Sequence, residues 1–200
     1  MIISCLGDSL TRGDYGVFGK SGIANISDKN YPYFLAQSTG AKVNNYGVCG
    51  VNPTHFYNYY KKENVDIKNS DIVIIMLGTN GGLHPTEKTQ ANEDYKALID
   101  LCLKDAPNAS LFLCTPPHAT ENPEFSNCGF AQNVTNATLF IREFAKQNNL
   151  NLIDVFDCGL FTAENEHIMQ TNDGLHFVEE GYKTLANFIE KELRKYGKIR

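Results

Sequence analysis

The apolar positions of this 200-residue chain fall into short unbroken runs separated by longer segments with helical spacing. Five runs predict strands: Ile2 to Leu6, Ala41 to Tyr46, Asp71 to Leu77, Ser110 to Cys114 and Leu150 to Val155. In the third, the apolar residues continue without a break from Ile72 to Leu77, as expected of a central parallel strand buried on both faces. Tyr31 to Ser38, with Pro32 in its first turn, predicts a short helix, and Asn52-Pro53 opens another that runs through Lys61. Tyr95, Leu98, Ile99 and Cys102 form the stripe of a helix from Asn92 to Ala106, which Pro107-Asn108 ends. Val134, Ala137, Ile141, Phe144 and Ala145 mark a further amphipathic helix, and Tyr182, Leu185, Ile189 and Leu193 mark the last, from about Val178. Residues 14–30 are rich in Gly, Ser, Asn and Asp and read as a loop. Strands alternating with helices in this way predict an α/β fold: a parallel sheet of five strands with helices on both faces, in one domain spanning 1–200. No internal repeat is visible.

Polar residues and glycines gather where the predicted strands end. Gly7-Asp8-Ser9-Leu10-Thr11-Arg12-Gly13 follows the first strand, so a serine hydroxyl is delivered to the carboxyl edge of the sheet, where α/β proteins bind ligands. A helix starting there also aims free backbone N–H groups at the same place. Gly47 and Gly50 follow the second strand, and Gly78-Thr79-Asn80-Gly81-Gly82 follows the third. Asp173-Gly174-Leu175-His176 opens the last helix. A serine needs a base to become a nucleophile, and a histidine base needs a carboxylate to hold its tautomer. Ser9, His176 and Asp173 supply those three groups. The backbone N–H groups of Ser9 and Gly50 and the side-chain amide of Asn80 would serve as donors to an oxyanion. Taken singly, each signal is ordinary: Asp8 and Asp173 read as helix caps, His176 as a structural histidine, and Asn80 as a turn residue.

Taken together, these blocks resemble the SGNH, or GDSL-type, hydrolase family of esterases and lipases. Gly7-Asp8-Ser9-Leu10 resembles its first block, with Ser9 in the nucleophile's place. Asn45-Tyr46-Gly47-Val48-Cys49-Gly50 resembles the second and Gly78-Thr79-Asn80 the third, whose glycine and asparagine donate to the oxyanion. Asp173-Gly174-Leu175-His176 resembles the fifth, which supplies acid and base. The resemblance runs from Gly7 to His176 and implies a flavodoxin-like three-layer α/β/α sandwich. It also implies a serine esterase that works through an acyl-enzyme, without a cofactor, on an acyl ester. Acetylated sugars, small esters, lysophospholipids and thioesters are all implied substrates, and a short acyl group on a carbohydrate or small alcohol is the reading preferred here. One departure is visible: the aspartate that often follows the third-block asparagine is replaced by Gly81, which implies altered loop support. An α/β-hydrolase is disfavoured, because there is no GxSxG elbow and the serine follows the first strand. A non-catalytic carbohydrate-binding protein on the same fold remains an alternative, as does a flavin- or nucleotide-binding one, although no GxxxxGK[ST] loop follows the first strand.

Composition narrows the field further. The net charge of -5, with no basic run, argues against nucleic acid as a partner. No apolar run is long enough to cross a bilayer, and Met1 leads directly into the first strand without a leader pattern, so a cytoplasmic location is expected. The six cysteines form no CxxC pair, and Cys5, Cys102 and Cys114 lie in apolar segments, where reduced thiols pack as small hydrophobes. Asn25, Asn108, Asn133 and Asn136 begin Asn-x-Ser/Thr triplets, which would matter only in a secreted chain. His84 and His118 follow the third and fourth strands and are tentative substrate contacts, together with Asp8. Neither histidine has metal-ligand spacing and no HExxH is present, so no metal is expected. The Tyr57, Tyr59, Tyr60 group reads as core and surface of a helix.

Overall fold

A computed structural model of the chain describes residues 1–17, 24–63 and 65–199. Its strands are β1 (Ile2–Gly7), β2 (Asp14–Val17), β3 (Ala24–Ile26), β4 (Lys42–Gly47), β5 (Ile72–Met76), β6 (Ser110–Cys114) and β7 (Asn151–Ile153). Its helices are α1 (Ser9–Arg12), α2 (Tyr31–Thr39), α3 (Pro53–Lys62), α4 (Gln90–Asp105), α5 (Ala131–Gln147), α6 (Glu166–Met169) and α7 (Glu179–Lys195). Five strands form one parallel sheet in the order β4-β1-β5-β6-β7. The chain leaves β1 for β4 on one side and then returns to β5 on the other. This reversal creates a crevice at the carboxyl end of β1, where α/β sheets bind ligands.

The unbroken apolar run of β5 is explained by helices on both faces. Ile72, Ile74 and Met76 join Ile3, Cys5, Phe112 and Cys114 beneath Leu35 of α2 and Tyr182, Leu185, Ile189 and Leu193 of α7. Val73 and Ile75 point the other way, with Leu6, Leu111 and Leu113, into Phe56 of α3, Tyr95 and Leu98 of α4 and Ile141 of α5. Alternate residues thus feed two separate cores, as the period-two geometry of a strand requires. The helices begin where capping side chains satisfy their first free N–H groups. Asn30, Asn52 and Thr89 accept from the backbone N–H of Tyr33, His55 and Asn92, each at 3.0 Å.

The expected five-strand parallel sheet with helices on both faces is present. The loop expected over residues 14–30 needs correction: β2 and β3 pair there as an antiparallel ribbon, while residues 18–23 of that stretch lie outside the described residues. Its strands are too short and polar to show alternation, and tertiary contacts hold them: the Tyr182 hydroxyl of α7 donates to the Asp14 carbonyl at 2.5 Å. The fifth sheet strand is also shorter than its apolar run, because the chain turns at once, with Val155 N–H donating back to Ile153 O at 3.1 Å. The short α6 was not foreseen. All six cysteines are free, and Cys5, Cys102 and Cys114 are buried. Among the described residues no helix is long and apolar enough to cross a membrane.

Candidate active site

Ser9 is placed by the abrupt end of β1. Asp8 adopts extended backbone geometry and caps α1, its carboxylate Oδ1 accepting from Leu10 N–H at 3.0 Å. Ser9 is therefore the first helical residue, and its own N–H is among those an α-helix leaves without an internal acceptor. The other end of this one-turn helix is tied to the sheet by Asn45 of β4. The Asn45 amide donates to Thr11 O and its Oδ1 accepts from Gly47 N–H, both at 2.8 Å. The serine turn is thus fixed against two strands at once.

The expected acid and base, Asp173 and His176, come from a tight turn before α7. Asp173 Oδ1 accepts from the backbone N–H groups of Leu175 and His176, each at 2.9 Å, and from the Thr171 hydroxyl at 2.8 Å. Its Oδ2 faces His176 Nδ1 at 2.6 Å. Burial alone pushes this carboxyl up, but the His176 hydrogen bond and charge and the two backbone donors outweigh that and hold its pKa at about 2. An ionised Asp173 can only accept, so Nδ1 carries the proton and Nε2 presents a lone pair. That lone pair receives the Ser9 hydroxyl at 2.9 Å, across 167 residues of sequence. Burial pulls the His176 imidazolium down, whereas Asp173, then Asp14 and Asp8, raise it, and the balance leaves its pKa above the ordinary histidine value. The segment from residue 118 to 128 braces this turn: Thr120 N–H donates to Gly174 O at 3.2 Å and Asn127 N–H to Asp173 O at 3.0 Å.

Besides Ser9 N–H at the start of α1, the expected oxyanion donors lie on two loops that touch each other. Gly50 follows β4 with a left-handed backbone at φ 73° and open space around it. Asn80 follows β5, and its side-chain N–H donates to Val51 O at 3.0 Å, which links the two loops and leaves the second amide hydrogen available. Gly81 explains the departure from the family pattern. Its φ of 76° lies where side chains are strained, and a Cβ would sit 3.0 Å from the Asn133 side chain of α5. The space an aspartate would need is filled by that helix.

The tentative substrate contacts fare differently. Asp8 is wholly buried and caps α1; burial lifts its pKa to about 6, against the opposing pull of Leu10 N–H and the nearby Thr79 hydroxyl. The structure thus gives Asp8 the helix-capping role that its position before α1 also suggests. His84 folds onto its own turn, Nδ1 accepting from Glu87 N–H at 3.0 Å. The His118 ring packs on Phe156 with centroids 5.6 Å apart, and its carbonyl accepts from Gln170 at 3.1 Å. Neither histidine is hydrogen-bonded to Ser9, Asp173 or His176. Among the described residues no group of three or more His, Cys, Asp or Glu is placed to hold a metal ion.

Two contributors escaped the sequence reading. Asn45 was legible as part of a block but not as the strap on α1. Asp14 was hidden in the supposed loop: it begins β2, is buried, and places Oδ2 at 3.8 Å from His176 Nε2. No local pattern could have announced it, because its partners are distant in sequence.

A hydroxyl, an imidazole and a carboxylate thus stand in line at the carboxyl edge of a parallel sheet, beside preset N–H donors, an arrangement chemically able to activate a serine as a nucleophile. Residues 5–184 match the family described as "GDSL-like Lipase/Acylhydrolase family". The chain belongs to that family. It is similar in structure to the lipase/acylhydrolase from Enterococcus faecalis, with 22% identity, a TM-score of 0.75, and coverage of 100% of this chain and 97% of that one. A carbohydrate acetylesterase from Sinorhizobium meliloti shares 18% identity at a TM-score of 0.74, covering 98% and 99% of the two chains. In sequence, the chain is 28% identical over 153 residues to an N-acylneuraminate cytidylyltransferase of Escherichia coli. That match covers 74% of this chain and only 34% of the length of the relative.

Proposed function

We propose that this protein hydrolyses carboxylic esters with short acyl groups, carried on a carbohydrate or similar small alcohol, through an acyl-enzyme on Ser9. The observation that carries this is the unbroken line from Ser9 Oγ to His176 Nε2 at 2.9 Å and from His176 Nδ1 to Asp173 Oδ2 at 2.6 Å. Distances of this size are those expected between a nucleophile, its base and the group that orients the base.

In the first step His176 Nε2 takes the Ser9 proton as Oγ attacks the ester carbonyl. The oxyanion that forms is received by Ser9 N–H, Gly50 N–H and the free amide hydrogen of Asn80. The imidazolium, held by Asp173, returns the proton to the alcohol oxygen, the C–O bond breaks and the alcohol departs. Water then repeats the sequence on the acyl-serine, releasing the acid and restoring the Ser9 hydroxyl. The carbohydrate preference draws support from the names of the Sinorhizobium acetylesterase and the Escherichia coli relative, both of which refer to sugars.

Replacement of Ser9 by Ala should abolish both p-nitrophenyl acetate hydrolysis above residual background and labelling by a fluorophosphonate. Undiminished hydrolysis in Ser9→Ala would refute the mechanism. Asn80→Ala removes one oxyanion donor and should lower kcat by roughly 10²–10³, read by steady-state kinetics on the same ester.

A further inference from the structure

The imidazole of His176 has a second carboxylate on its reacting side. Asp14 Oδ2 lies 3.8 Å from Nε2, the nitrogen that also faces Ser9 Oγ at 2.9 Å. Asp14 is only 5% exposed and is firmly held. Its Oδ1 accepts from Gly16 N–H at 2.9 Å and Asn25 N–H at 3.3 Å, and its carbonyl receives the Tyr182 hydroxyl at 2.5 Å. The two side-chain oxygens thus divide their work: Oδ1 takes backbone donors of the ribbon and Oδ2 is turned to the nitrogen that handles the proton. The Cys49 thiol lies nearby; burial first, then the Asp14 charge and a hydrogen bond to Asp14, push its pKa up to about 11, so it stays protonated and is a weak donor that a substrate hydroxyl would have to outbid.

We infer that Asp14 is a specificity-determining residue, whose Oδ2 accepts a hydrogen bond from a hydroxyl on the carbon adjacent to the ester oxygen of the leaving alcohol. This rests on the esterase reading above and names the alcohol it favours: a polyol or sugar esterified beside a free hydroxyl. In protonating the leaving oxygen, Nε2 must come within hydrogen-bond reach of it, about 2.6–3.2 Å. The leaving oxygen is therefore brought close to Asp14 Oδ2. In a vicinal diol held gauche, the neighbouring hydroxyl is about a hydrogen-bond length from the ester oxygen, so it can span to a carboxylate this close. A bond to a charged, buried acceptor discriminates strongly, because an ester lacking that hydroxyl forgoes a charge-assisted hydrogen bond made where water is excluded.

The test compares kcat/KM for 2-hydroxypropyl acetate and propyl acetate, which differ by one hydroxyl, in the parent chain and in Asp14→Asn. Asparagine retains an oxygen for Gly16 and Asn25 but replaces the inward oxygen with a donor. The parent chain should prefer the hydroxy ester, and Asp14→Asn should reduce that preference by about tenfold or more. An unchanged preference in the variant would overturn the assignment, as would equal kcat/KM for the two esters in the parent chain, a result that does not depend on the variant folding. Those outcomes leave Ser9-dependent hydrolysis intact and so spare the esterase reading. A parent chain in which neither these esters nor p-nitrophenyl acetate is hydrolysed through Ser9 would overturn both.

Discussion

The two nitrogens of His176 look onto regions built in different ways. Nδ1 meets Asp173 within a single turn, where Leu175 N–H, His176 N–H and the Thr171 hydroxyl saturate the carboxylate over a span of a few residues. Nε2 meets Ser9 and Asp14, which arrive from the far end of the chain and depend on packing between β1, β4, β2 and α7. The first region fixes a tautomer by local hydrogen bonds, whereas the second brings a hydroxyl and another carboxylate together by long-range contact. Polarity differs in the same sense. Asp173 is held at about 2 and is charged at any working pH, with its charge spent on its own turn. Asp14 keeps one oxygen directed towards Nε2.

That contrast can be broken from the Nδ1 side with the largest effect. Asp173→Asn offers an N–H where the imidazole needs an acceptor, reversing the tautomer, and kcat should fall by about 10⁴, the loss that accompanies this exchange in another serine hydrolase. A drop of less than tenfold in steady-state assays would show that the local turn does not set the tautomer. An intermediate effect is expected where the two regions touch. Gly16 of β2 has φ of 83°, and a Cβ there would sit 2.8 Å from both Asp173 Oδ2 and Thr171 Oγ1. Gly16→Ala should therefore destabilise the fold by about 1–3 kcal/mol, measured as a lower Tm by calorimetry.

The smallest effect sharpens the comparison through pH. Because the His176 pKa stands above the ordinary value of about 6.5, kcat/KM should fall as pH drops through a point higher than about 6.5, where the base becomes protonated. This moves the inflection upward from the one expected of an unperturbed histidine. The carboxylates acting on His176 are Asp173, Asp14 and Asp8, in that order. Asp14→Asn removes one negative charge, disfavours the imidazolium and should shift the acid limb towards lower pH, while the limb's presence still reports Asp173. A pH–rate profile with the same acid limb in both proteins would show that Asp14 does not reach the imidazole electrostatically.

Much of the architecture was legible because it follows from local pattern. The apolar run Ile72 to Leu77 could only be a strand covered on both sides, and the stripes through Tyr95 and Tyr182 could only face a core. The positions of Ser9, Gly50 and Asn80 after strands, and of Asp173 and His176 ahead of the last helix, were readable for the same reason, since each adjoins a recognisable element. The ribbon of β2 and β3 was not readable: short, polar strands carry no hydrophobic period, and their order comes from Tyr182 and from pairing. His84 and His118 also follow strand ends, but the partners that hold their rings, Glu87 N–H and Phe156, were not readable from a histidine's place in a loop.

By itself, then, the sequence determined which residues would stand at the carboxyl edge of the sheet, since periodicity and turn chemistry act within a few residues of one another. Only the tertiary structure decided that Asp14 would join them, that Asp8 would be sealed beneath α1, and that α5 would fill the space beside Gly81. Those outcomes depend on distances between segments far apart in the chain, and a hydrogen bond or a filled volume exists only when folding has brought both partners to the same place.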